Sequence, residues 1–163
     1  RKRNDPKKML ELTATMLASN VDDRTPVLRE RFQAAVDLED YPLASQMLDD
    51  LKRASSPTWE NQVEHARLRA TLAWNSGNPV ATLQALDRAI EIAPADASLR
   101  MSRARVLVQL RQAALARHEL EHVRRIDPTN EEAATLLSRV RSRAADAQVD
   151  GDASPIEPVA DGE

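Results

Sequence analysis

Apolar residues recur every three or four positions along most of the chain, in runs of a dozen to twenty residues separated by proline. That period belongs to a helix packed on one side. Proline is tolerated in the first turn of a helix and breaks its interior. Pro6, Pro26, Pro42, Pro57, Pro79, Pro94 and Pro128 therefore act as punctuation. Eight helices are predicted, at about 6–19, 26–38, 42–54, 57–75, 79–92, 97–110, 113–126 and 130–147. No strand pattern competes with them. Asp5-Pro6, Thr25-Pro26 and Ser56-Pro57 read as helix openings, and Thr129 with Glu132 has capping-box spacing. Met9, Leu12, Thr13, Met16 and Leu17 form one apolar face on the leading helix; Leu28, Phe32, Ala35 and Val36 form another on the second.

The pattern also repeats at long range. Ile92-Ala93-Pro94 is echoed by Ile126-Asp127-Pro128, 34 positions further on, and the same shift pairs Ala70 with Ala104, Leu72 with Val106, Leu86 with Leu120 and Ala89 with Val123. An earlier, divergent unit shows in Asp40-Tyr41-Pro42-Leu43-Ala44, followed by Leu48 and Leu51. Its small residue Ala44 precedes Thr82 by 38 positions, so the helix near Pro57 is expected to run one turn longer than standard. A two-helix unit with this period resembles the tetratricopeptide repeat (TPR). Ala70, Gly77-Asn78, Leu86, Ala89 and Pro94 carry the resemblance in one unit, and Ala104, Leu107, Ala116, Leu120, Ile126 and Pro128 in the next. Arg69 and Arg103 depart from it where the family often has Leu, and Thr82 replaces the usual Ala; buried stems with solvated heads are expected for the arginines.

The resemblance implies an all-α fold, a right-handed stack of antiparallel helical hairpins. Residues 1–24 would be a basic head and leading helix, 25–58, 63–96 and 97–130 three hairpins, 130–147 a capping helix and 148–163 an acidic disordered tail. It also implies a non-catalytic interaction scaffold that binds a peptide or protein surface on its concave side, along the first helix of each hairpin. The alternative is a regulatory or targeting domain of a longer enzyme or membrane-anchored assembly protein. The family's lining positions fall on Arg29, Gln33 and Val36, then on Glu64, Arg67, Thr71, Trp74 and Asn75. They continue on Met101, Arg105, Val108 and Gln109, with Arg139 and Arg143 from the cap. Bases outnumber acids five to one in that set, which points to an acidic or carboxylate-terminated peptide, since the planar guanidinium bonds carboxylates in pairs. The competing reading ties these arginines to acids on neighbouring helices. Gln33, Thr71 and Arg105 stand where the chaperone-tail-binding subclass keeps a clamp containing Asn, so chaperone binding is not implied.

Composition narrows the chemistry. The chain contains no Cys, which excludes disulfides, Cys-ligated zinc and thiol catalysis. No apolar run is long enough to span a membrane, and no Gly-rich phosphate loop or Ser-His-Asp set appears. His118-Glu119-Leu120-Glu121-His122 matches the H-E-x-x-H zinc signature. His65 is the sole other His, and Leu120 is a packing anchor, so both His118 and His122 are expected on a solvated outer face, without cofactor or metal. Trp59 and Trp74 are expected to pack, although the family register puts Trp74 on an inner face.

The net charge of −3 is an average over unlike regions. Residues 1–8 carry five bases and one acid, whereas residues 146–163 carry six acids and no base. The acidic segment is expected to be disordered, either as a linker or tethered where it can occupy the basic groove. The near-neutral middle lacks aromatic interleaving, and no nucleic-acid partner is expected. Position 1 is Arg, so the chain is expected to be a fragment or processed product, cytoplasmic, or anchored through a segment upstream. The excess of Arg over Lys, 19 to 4, suggests a GC-rich bacterial genome.

Overall fold

The computed structural model describes residues 5–19 and 22–149, with side chains described as far as 142. Among these residues there are eight helices and no strand: α1 (Pro6–Ala18), α2 (Thr25–Asp37), α3 (Tyr41–Ala54), α4 (Trp59–Asn75), α5 (Pro79–Ile92), α6 (Ala97–Gln109), α7 (Ala113–Ile126) and α8 (Glu131–Val149). Each helix packs chiefly on its neighbours in the chain, giving an all-α helical repeat. The basic residues Arg1–Arg3 and the acidic segment from 150 onward lie outside the described residues, as does the side chain of Arg143.

The helix starts follow capping chemistry. Asp5, Asp40, Thr58, Asn78 and Asp96 each accept a backbone N–H of the first turn. Two expected starts are corrected. Asn130, not Thr129, caps α8 by accepting the Ala133 N–H at 2.9 Å, while the Thr129 hydroxyl donates to Asp127 at 2.8 Å. The helix expected near Pro57 begins at Trp59, because Thr58 supplies the cap. It is nonetheless 17 residues long against 13 for α2 and α6, which accounts for the 38-residue spacing.

The three hairpin turns share one geometry. Glu39, Gly77 and Arg111 sit in the left-handed region at φ of 59°, 74° and 58°. In each turn the following amide closes back on the helix: Asp40 N–H to the Ala35 carbonyl, Asn78 to Ala73 and Gln112 to Leu107, at 2.8–2.9 Å. This is the Schellman helix ending. Only the middle turn uses glycine; Glu39 and Arg111 accept the crowding of Cβ against carbonyl oxygen.

Packing passes from hairpin to hairpin through side chains shared between neighbouring clusters. Leu28, Phe32, Ala44 and Leu48 form the core of the first hairpin, and Leu68 and Leu72 of α4 close over it. Leu99, Leu107, Leu120 and Val123 are fully buried further on, and Leu83 bridges two clusters. The leading helix is turned from its expected register. Thr13 is buried, its hydroxyl donating to the Met9 carbonyl at 2.6 Å, and Leu17 packs on the first core, whereas Leu12 and Met16 face solvent. The Arg31 guanidinium of α2 donates to the Leu10 carbonyl at 2.7 Å on the same side of the helix as Thr13.

Glu119 corrects the expectation for the H-E-x-x-H segment. It is only 5% exposed, and its carboxylate accepts from Arg100 at 3.3 Å and Arg103 at 3.1 Å. Arg103 also donates to Asp87 at 2.6 Å. The residue that would be a catalytic base is instead a buried tie between α5, α6 and α7. His118 is exposed beside it and His122 partly buried, with ring centroids 6.2 Å apart.

Two stability effects are expected. Glu119→Ala removes the shared counter-charge of two poorly solvated arginines and is expected to cost about 3 kcal/mol in urea unfolding. Arg111→Gly relieves the left-handed residue and is expected to add up to about 1 kcal/mol on the same measurement.

Candidate functional site

The first helices of successive hairpins, α2, α4 and α6, are tied to one another by charge. Arg29 of α2 donates to Glu64 of α4 at 2.5 Å. Arg67 of α4 bonds Asp96, the cap of α6, at 3.3 Å, and also the Ser98 hydroxyl. Arg105 of α6 grips Glu132 in the first turn of α8 through two parallel bonds of 2.8 and 2.5 Å. The three arginines are evenly spaced along the chain and their acids lie one hairpin further on, so the pairs form a ladder across the repeats.

A groove of about 840 Å³ lies between α4, α6 and the start of α8. Seven of the fourteen residues expected to line a binding surface meet there: Arg67, Thr71, Trp74, Asn75, Met101, Arg105 and Gln109. Trp74 is 42% exposed and offers its ring to the groove, which corrects the expectation that it packs; Trp59, at 59%, projects from the extra turn of α4. The Asn75 amide donates to the Thr71 carbonyl at 2.8 Å, and the Asn75 carbonyl accepts from the Tyr41 hydroxyl at 2.7 Å. Tyr41 thereby fixes the end of α4 against the first hairpin.

The other expected residues with described side chains lie elsewhere, Val36 in the core of the first hairpin and Glu64 in the cleft beside it. Arg29 faces the cleft between the first two hairpins. Gln33 is exposed and donates to Asp37 at 2.7 Å. Val108 packs against the core shared by α6, α7 and α8. Arg139 is exposed on α8 and outside the groove.

The charge of the groove also differs from the expected basic strip. Asp127 and Glu132 line it together with Arg67 and Arg105, so its formal charges cancel. These acids come from helix starts and the turns before them, not from first-helix lining positions. One signal was available in the sequence: Asp96 and Asn130 are one repeat period apart and cap equivalent helices.

Hydrogen bonds set the ionisation of these groups. The bonds from Arg105 hold the Glu132 carboxyl below the ordinary range, and Glu132 in turn raises Arg105. The Thr129 hydroxyl is the main group lowering Asp127. Burial works against ionising Asp96, but bonds from Ser98 and the charge of Arg67 outweigh it, leaving that carboxyl lowered. Among the described residues no group of three His, Cys, Asp or Glu side chains is placed to hold a metal ion, and no helix is long and apolar enough to cross a membrane.

Residues 73–140 match the tetratricopeptide repeat family model, from the end of α4 into α8. The resemblance carried by the repeat period is therefore matched over those residues. No curated protein matches the sequence. A solved structure, described as the first TPR of Spaghetti (RPAP3) bound to the HSP90 peptide SRMEEVD, is similar in fold. Its TM-score is 0.61 at 17% identity, over 77% of this chain and 99% of that one.

The Arg105–Glu132 pair has a checkable acid dependence. A carboxylate lowered by folding adds stability above its unfolded pKa, and that contribution is lost as the pH falls through the folded value. Glu132 is expected to titrate below ordinary glutamates by NMR, and Arg105→Gln is expected to return it to their range.

Proposed function

We propose that this chain is a non-catalytic interaction scaffold whose groove between α4, α6 and α8 receives an acidic peptide segment. The carrying observation is the juxtaposition of an exposed indole, Trp74, with Arg67 and Arg105 in one open groove. An indole supplies apolar contact area at low entropic cost, and a guanidinium supplies paired donors for carboxylates. The structurally similar TPR is described as bound to a peptide that contains Glu-Glu and Asp, which supports a ligand of this class. Gln33, Thr71 and Arg105 do not reproduce the Asn-bearing clamp of chaperone-tail binders, so the ligand is an acidic segment read by arginine.

Internal pairing of these arginines does not block the site. Both members of the Arg105–Glu132 pair are about half exposed, and exposed pairs contribute about 0–1 kcal/mol. A ligand carboxylate exchanges for Glu132 or Asp96 at that small cost, and each guanidinium has further donors to offer. The ladder keeps the arginines extended across the groove and reduces the side-chain entropy lost when a ligand arrives.

The test is a fluorescence-anisotropy titration with a short Glu/Asp-rich peptide and with its Gln/Asn counterpart. The acidic peptide is expected to bind more tightly, and Arg67→Glu and Arg105→Glu are each expected to weaken it by about tenfold or more. Equal affinity for the two peptides, or indifference to both charge reversals, overturns the reading.

A further inference from the structure

A second pocket, of about 600 Å³, opens where α3, α4 and α5 meet. Among consecutive helices, α3 and α4 approach each other least, and the pocket lies at that thin junction. Leu51, Leu68, Ala85 and Ile92 make its walls apolar, while Lys52 and Arg69 bring cationic groups to it.

The repeat explains why there is space. A shift of one repeat period carries Arg69 onto Arg103 and Ala85 onto Glu119. In the later unit, Arg103 meets the buried Glu119 carboxylate of α7. In the earlier unit the side chain of Ala85 ends at Cβ, so α5 offers Arg69 no acid there. Among the described residues neither Arg69 nor Lys52 forms an ion pair. The other cations at the pocket are engaged, Arg88 by Glu91 and Arg29 by Glu64.

His65 is the third element. It lines the same pocket, and its Nε2 is buried without a hydrogen-bond partner. Burial, with Lys52 and then Arg69 nearby, lowers its pKa against the weaker pull of the Leu48 backbone and Asp49. The shift favours the neutral ring, and an N–H at Nε2 would face a position that is empty of protein partners.

We propose that this pocket binds an amphipathic carboxylate, a small molecule with an apolar body and one anionic head. The head takes the place that Glu119 occupies one repeat later, bonding Arg69 and Lys52 and approaching His65 Nε2, and the body lies against Leu51, Leu68 and Ile92. The volume falls in the range of small-ligand sites, and a few polar groups over apolar walls are their usual lining. This site is separate from the groove that holds Arg67 and Arg105 and does not depend on the peptide reading.

The probe is decanoate, titrated calorimetrically into the full chain. One-to-one saturable binding is expected, weakened about tenfold or more by Arg69→Gln at an exposed position. Ala85→Glu rebuilds the later unit's ion pair inside the pocket, and is expected to abolish binding and raise Tm. Arg141→Gln, on α8, is expected to leave binding unchanged. Non-saturable uptake overturns the proposal, as does decanoate binding that Arg69→Gln leaves intact with an unchanged circular-dichroism spectrum. A short poly-glutamate peptide that displaces decanoate as well as free decanoic acid does shows that the apolar body goes unused, and overturns the ligand class. If Ala85→Glu fails to fold, the Arg69→Gln comparison decides the matter.

Discussion

A two-helix hairpin has more apolar surface than its own two faces can cover, and that shortage organises everything else in this molecule. Phe32, Leu28 and Leu48 close the first hairpin internally, but the outer side of that cluster is finished only by Leu68 and Leu72 from the next. Leu83 plays the same part between the second and third. Because each interface is local and repeated, stability accumulates along the stack rather than around one centre. The stack also needs its hairpins to turn in one geometry, and Glu39, Gly77 and Arg111 all accept a left-handed backbone to provide it.

Charge is distributed according to burial. Glu119 lies inside, where a lone carboxylate would be very costly, and it is matched by Arg100 and Arg103. The ladder of Arg29, Arg67 and Arg105 lies half exposed, where each pair contributes little to stability. The strong tie holds α5, α6 and α7 together, while the weak ties remain exchangeable. That division suits the exchange of acids that the proposed peptide binding requires.

The single longer helix, α4, has consequences beyond spacing. Its added turn carries the exposed Trp59, and its junction with α3 is thinly packed. The repeat is therefore regular where α4–α5 meets α6–α7 and irregular where it meets α2–α3. The pocket beside Ala85 occurs at the irregular joint, as expected where the hydrophobic faces no longer match in length.

The helices, their pairing into hairpins and the shortening of the repeat spacing after the first unit were all legible in the sequence. They depend on helical periodicity, proline placement and capping, which act within a few residues of each position. Seven groove residues were legible as well, through the lining positions that the family resemblance implies. What the tertiary structure decided is which groups meet across 16 to 35 residues of chain: Arg103 with Asp87, Arg105 with Glu132, Arg29 with Glu64. It also decided that Glu119 is buried, that Trp74 is open and that Val108 turns inward. Helix formation is a local balance, but whether a charge finds a partner depends on how far apart two helices settle, and only the packing of the whole stack sets that distance.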